Sequence, residues 1–158
     1  MNEEFEKTIY SRYPKLFKNV TQPDRPMDFF WGCEHEAGWF NIVDSLCKKI
    51  VRHIDWKHRD TPEDERPYPV VQQVKEKFGT LRFYIEGGDE EVFGMIKMAE
   101  CMSRNVCEIT GDIGSSTTPP MWAIRSPECQ EKPTEDQMNR VLNFVNKIES
   151  EDPNQYDI

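Results

Sequence analysis

Four side chains in two adjoining segments carry the most suggestive chemistry in this sequence. In the run Gln73-Val74-Lys75-Glu76-Lys77-Phe78-Gly79-Thr80-Leu81-Arg82-Phe83-Tyr84, Leu81, Phe83 and Ile85 alternate with Thr80, Arg82, Tyr84 and Glu86. That is the period-two pattern of a half-buried strand. With the apolar set packed inward, Arg82 and Tyr84 project outward, and a regular antiparallel partner places Lys75 and Lys77 on the same side. Three cations and a ring on one face suit an anion: Arg forks onto phosphate or carboxylate oxygens, Lys adds point charge, and Tyr stacks on a base. The alternative is a solvated strand face whose cations pair with Glu76 or Glu86.

A second cluster, Trp31-Gly32-Cys33-Glu34-His35-Glu36-Ala37-Gly38-Trp39, precedes a helix. Here Trp39 could line a pocket while the first amides of the helix seat an anion. Equally, Trp31 and Trp39 could pin the loop in the core, with Glu36 as a helix-end carboxylate. Cys33-x-His35 is too sparse a pattern to imply a metal. Catalytic signatures are missing: there is no phosphate loop, no Gly-x-Gly-x-x-Gly, no His-Glu-x-x-His and no Gly-x-Ser-x-Gly. His58-Arg59-Asp60 stands without the other kinase elements. Cys33 with His35 or His53 is the one conceivable thiol–base pair. No enzyme activity, catalytic residue, metal or cofactor is expected.

The elements that must position these residues follow from periodicity. Asn2 to about Tyr13 reads as a helix with Phe5, Ile9 and Tyr13 on one stripe, closed by Pro14. Residues 19–38 are irregular, interrupted by Pro23 and Pro26. Trp39 to Trp56 is the strongest helix, with Trp39, Ile42, Val43, Leu46, Ile50 and Ile54 at steps of three and four. A proline-rich loop at 57–69 leads to a hairpin over Val70–Glu86, turning at Gly79. In its first arm Val70, Val74 and Phe78 share the inward parity. Asp89 caps a further helix carrying Val92, Ile96, Ala99 and Val106 and ending near Cys107–Gly111. Met121–Ile124 could add an edge strand. Thr134-Glu-Asp-Gln137 is a capping box opening a last helix through Ile148. The expected architecture is α+β, several helices around a small antiparallel sheet, with residues 1–148 as one domain and 149–158 as an acidic flexible tail.

Composition narrows the classes. The 158 residues hold 20 Lys+Arg against 29 Asp+Glu, a net charge of −9, which argues against a protein that coats nucleic acid or lies on an anionic membrane. No apolar run approaches the roughly 18 residues of a membrane span. The acidic N-terminal run is unlike a signal peptide, so a cytoplasmic location is expected. The five cysteines then read as buried thiols rather than a disulfide framework.

The chain resembles a family of small, largely uncharacterised phage and prophage proteins. The resemblance rests on Gly38-Trp39-Phe40 through Leu46-Cys47 and on the Lys75-Glu-Lys-Phe-Gly-x-Leu-Arg-Phe-Tyr84 segment. The family's third mark, a late Cys-x-x-Cys-Gly knuckle with a further cysteine-bearing turn, is degenerate here. Cys107-Glu-Ile-Thr110-Gly111 has threonine as its second member, and Lys132 stands three residues after Cys129. Zinc wants four Cys or His ligands. Cys101 is a poor substitute, because six helical residues place it about 240° round from Cys107. The surviving thiols read as a knuckle held by packing, or as a residual zinc site completed by His or Asp.

The resemblance implies a phage gene product acting in the cytoplasm of an infected bacterium. Together with the hairpin face it leads to a non-enzymatic accessory binding protein, a counter-defence factor. It would sequester a small anionic nucleotide-type signal through Lys75, Lys77, Arg82, Tyr84 and Trp39, or block a host defence protein. The alternative is a structural or regulatory module built on the degenerate knuckle. An available hairpin edge leaves a homodimer open.

Overall fold

The apolar stripe read over residues 39–56 organises the molecule. It forms helix α3 (Phe40–Lys57), preceded by a single 3₁₀ turn at Ala37–Trp39. Ile42, Val43, Leu46, Cys47, Ile50 and Ile54 are its buried face. The computed structural model describes residues 3–21, 32–116 and 123–129, with Asn139 and Asn143. The expected helix at 134–148, apart from those two asparagines, lies outside the described residues, as do the tail at 149–158, Trp31, and Met121 of the expected edge strand.

Helix α1 (Glu3–Arg12) buries Phe5 and Ile9 against α3, and the Phe5 and Phe40 ring centroids lie 5.3 Å apart. At its end Arg12 Nη1 and Tyr13 Oη donate to Asp44 Oδ1 at 3.0 and 2.9 Å, fixing the angle between the helices. The chain then buries Leu16 and Phe17 and makes the short helix α2 (Lys18–Thr21). Burial of such side chains is worth roughly 1.5–3 kcal/mol each.

The hairpin has the expected bounds, β2 (Val70–Lys77) and β3 (Thr80–Glu86). The sheet is not purely antiparallel, however. A two-residue strand β1 (Cys33–Glu34), inside the stretch expected to be irregular, pairs in parallel with β2 and gives the order β1-β2-β3. The inward residues of β2 are Val71 and Val74 rather than Val70 and Val74. An irregularity in register between Val71 and Gln73 inserts one residue, Gln72, and returns the strand to the parity expected from Val74 onward. Phe78 is not inward. It sits at the turn with φ 54°, followed by Gly79 at φ 76°, the two left-handed residues that a two-residue hairpin turn requires.

Both edges of this sheet are engaged by helices. On β3 the Leu81 N–H donates to Ser103 Oγ (2.9 Å) and the Phe83 N–H to a Glu100 carboxylate (3.3 Å), both from α4 (Glu90–Ser103). On β1 the Cys33 N–H donates to Glu6 Oε1 at 2.6 Å. These bonds take up the donors through which the hairpin edge would have paired with a second copy.

Helix α4 begins at the expected cap, where Asp89 accepts the Val92 N–H at 3.0 Å. It ends at Ser103, earlier than expected. There the Arg104, Asn105 and Val106 amides turn to carbonyls three residues back, and Val106 enters a bridge with Ile113. A separate two-stranded sheet, β4 (Ser115–Ser116) with β5 (Ile124–Arg125), holds Ile124, which therefore does not extend the hairpin sheet. Among the described residues no helix is long and apolar enough to cross a membrane.

Candidate functional site

The hairpin register decides which side chains share a face. Lys75 lies directly opposite Arg82, Lys77 opposite Thr80, and Gln73 opposite Tyr84. Directly opposed residues of an antiparallel pair project to the same side, so Lys75, Lys77, Arg82 and Tyr84 share the outward face, with Gln73 and Thr80 between them. The Lys75 Nζ stands 5.7 Å from the Tyr84 ring centroid, and Lys77 Nζ 5.5 Å from that of Phe78. Among the described residues no carboxylate comes within 4.0 Å of these three cations.

The acidic neighbours are committed elsewhere. Glu34, beside Lys75 on β1, accepts from Gln73 Nε2 at 3.1 Å. Glu76 accepts the Gly79 amide, and Glu86 accepts Gln72 Nε2 at 3.3 Å. Arg82 is turned along its own strand, its Nη1 donating to Thr80 Oγ1 (2.5 Å) and the Leu81 carbonyl (2.8 Å). Those bonds orient the fork, and of its five N–H groups the three on Nε and Nη2 stay clear of them. Two cations face to face across a ladder destabilise a hairpin. Here that cost is uncompensated within the described residues.

Trp39 does not belong to this face. It is fully buried, and its indole N–H donates to the Val106 carbonyl at 2.8 Å. The cause is the residue before it: the Gly38 N–H donates to the Glu108 carbonyl (2.7 Å), and a Cβ there would fall 2.3 Å from the Cys107 oxygen. That close approach carries Trp39 into the core, which is the second of the two readings its cluster allowed. His35 is buried beside it, with ring centroids 5.9 Å apart, and donates from Nδ1 to the Glu36 carbonyl. Burial pushes its pKa down to about 4, so it is neutral at pH 7.

The loop held by Gly38 is the knuckle. Cys107 and Thr110 stand on one turn, closed by the Gly111 N–H to the Cys107 carbonyl at 2.9 Å. The second turn does not run forward from Cys129 to Lys132, as the spacing suggested. It runs backward: the Cys129 N–H donates to the Ser126 carbonyl at 2.9 Å, so the pair is Ser126-x-x-Cys129. Serine is not a ligand type that a search for Cys or His would have marked.

No known protein family, curated protein or solved structure matches this chain. The site must therefore be read from its own chemistry. One further cluster has the composition of a metal centre: the ligand atoms of His53, Asp89 and Glu91 lie within 4.8 Å of one another. Lys57 already answers it, with Nζ 2.8 Å from Asp89 Oδ2 and 3.4 Å from Glu91 Oε2. Burial would raise the Asp89 pKa, but bonds from Lys57, His53 and the Val92 amide outweigh it and hold the carboxyl well below the usual range. An apolar groove of about 280 Å³ between α3 and α4, lined by Ile42, Leu46, Met95, Met98 and Met102, offers contact area but little chemistry.

Proposed function

We propose that this is a non-catalytic binding protein that takes a small anionic, ring-bearing ligand of nucleotide type on the outer face of the β2–β3 hairpin. The observation that carries this reading is the unneutralised cross-strand pair Lys75–Arg82, flanked by Lys77 and Tyr84, in a chain of net charge −9. A bound phosphate would relieve the repulsion between the two cations, accept from the Arg82 fork, and leave the ring of the ligand beside Tyr84, which is 43% exposed. No nucleophile with an adjacent base stands on that face, so sequestration rather than turnover is the reading it favours. The sequence resemblance supplies the setting: a phage accessory protein that withdraws a nucleotide signal from a host defence in the bacterial cytoplasm. A second reading, occlusion of a host protein, draws on Phe78, 71% exposed at the hairpin tip beside Lys77.

Calorimetry with cyclic mononucleotides and cyclic dinucleotides tests the first reading. Binding heat is expected for at least one, and the ligand should be recovered intact after denaturation of the protein. Lys75→Glu should weaken binding by tenfold or more, as expected when a charge-assisted bond worth about 1.5–3 kcal/mol is lost. The same change creates an opposite-charge cross-strand pair worth about 0.2–1 kcal/mol, so the melting temperature should hold or rise. Absence of heat for every nucleotide, or heat untouched by Lys75→Glu, would sink the reading.

A further inference from the structure

The hairpin reading leaves unused the two turns that face each other behind Gly38. The sulfurs of Cys107 and Cys129 lie close enough to share a hydrogen bond. Cys107 is fully buried and Cys129 is 6% exposed. The backbone N–H groups of Thr110, Ser126 and Ile109, together with the Thr110 hydroxyl, are directed at the Cys107 sulfur. Ser126 is 2% exposed, and its Oγ, buried without a hydrogen-bond partner, faces the Cys129 thiol. An orphaned buried hydroxyl costs about 1–3 kcal/mol, which a charged acceptor beside it would recover.

We propose that Cys107 and Cys129 form a two-thiolate site for a soft, closed-shell monovalent metal ion of the copper(I) class, with Thr110 and Ser126 donating to the sulfurs from outside the coordination shell. Thiolates select such ions. Two donors suffice for an ion that accepts linear coordination, whereas zinc would need four. Among the described residues no His, Asp or Glu completes a three-ligand group with these sulfurs. Binding exchanges two thiol protons for one monovalent cation, with no change of oxidation state. The resulting single negative charge is met by the three amides and by Arg125, which borders Cys129 and is itself paired to Glu108 at 2.8 Å.

In support, burial opposes ionisation of Cys107, yet the donors around it hold the thiol below its ordinary value. The other neighbouring pair, Cys33 and Cys47, lies in the apolar core with both thiols pushed up by burial, Cys33 to about 12. It serves as the internal control.

The full chain, reduced and kept without oxygen, would be titrated with copper(I) in competition with bathocuproine disulfonate. The expected result is one equivalent retained, with a rise in melting temperature because the ion joins two turns. Cys107→Ser or Cys129→Ser should lower retention by more than about 100-fold, and Ser126→Ala by about 10–100-fold, the range for partners outside the shell. Cys33→Ser and Cys101→Ser should leave it unchanged. Should a cysteine variant fail to fold, Thr110→Cys with Ser126→Cys keeps the geometry testable. Four convergent thiolates should take zinc, read as the visible spectrum of the cobalt(II) form. The proposal falls if the folded wild type yields its copper(I) to the competitor, or if retention survives Cys107→Ser. It falls equally if the double-cysteine variant binds no zinc, or if the pair is found as a disulfide, two mass units lighter.

Discussion

Gly38 is the residue on which the two halves of the structure meet. Its Cα hydrogens face the Cys107 carbonyl, the Gly111 amide and Glu108, and a methyl group would lie 2.3–2.8 Å from each of them. All three are backbone atoms, which cannot rotate aside as a side chain could. Gly38→Ala must push the knuckle off the start of α3, breaking the Gly38–Glu108 bond and loosening the Trp39–Val106 bond. A loss of about 3 kcal/mol is expected, at the upper end for overpacking a tight interior, measured by urea denaturation. A variant within 0.5 kcal/mol of wild type (about the scatter of neutral surface changes) would mean that the contact gives way. At this scale the sequence was partly legible. The spacing of Trp39 in an apolar helix stripe pointed inward, while its place in a loop of Trp, His and carboxylates pointed to a pocket. Only the glycine contact, between residues about seventy positions apart in the chain, decides between them. Ser126 was illegible for a different reason: a hydroxyl in a ligand's place has no signature in residue type.

Among the elements, the hairpin was the most legible and also shows where reading stops. Alternation along Thr80–Glu86 gives β3 its faces directly. β2 hides a bulge at Gln72, which shifts the inward residue from Val70 to Val71 without disturbing Val74 or Lys75. The partner of β2 on its other side, β1, is two residues long, too short for any periodicity, and its pairing is set by tertiary contacts. The turn shows a local conflict, because Phe78 holds φ 54° and is 71% exposed. A left-handed conformation costs a bulky L-residue roughly 1–2 kcal/mol, and the exposed ring recovers little by burial. Phe78→Asn gives the Asn-Gly pair that this turn geometry favours. The variant should therefore be about 1 kcal/mol more stable, seen as a higher denaturant midpoint with unchanged slope. Combined with the nucleotide titration, it also separates the two functional readings. Sequestration by the Lys75–Arg82 face should survive Phe78→Asn, whereas occlusion of a protein partner anchored on Phe78 should not.

Over the whole molecule, charge is distributed so that one acidic residue joins the ends of two helices while the hairpin cations are left unanswered. Asp89 caps α4 through Val92 and reaches back to His53 and Lys57 on the last turns of α3, at 2.8 Å each. It thereby closes the loop in which β3 exits through Gly87 and Gly88. Because its carboxyl titrates well below the unfolded value of about 3.9, the linkage has a definite sign. Above about pH 4 both states are ionised and the stabilisation is fully present. As pH falls further the unfolded chain takes up its proton first, and the contribution drains away toward the folded value. Asp89→Asn preserves a cap but not the charge. The difference in stability between wild type and this variant should be about 1 kcal/mol at pH 7, modest because Lys57 is part-exposed and solvent screens it. That difference should shrink continuously below pH 4 in paired melting curves. General acidification acts the other way on a chain of net charge −9, relieving self-repulsion in both proteins alike, so the comparison isolates Asp89. A difference that stayed constant down to pH 2, or widened, would show that the α3–α4 junction is held by packing and that its carboxylate contributes only as a cap.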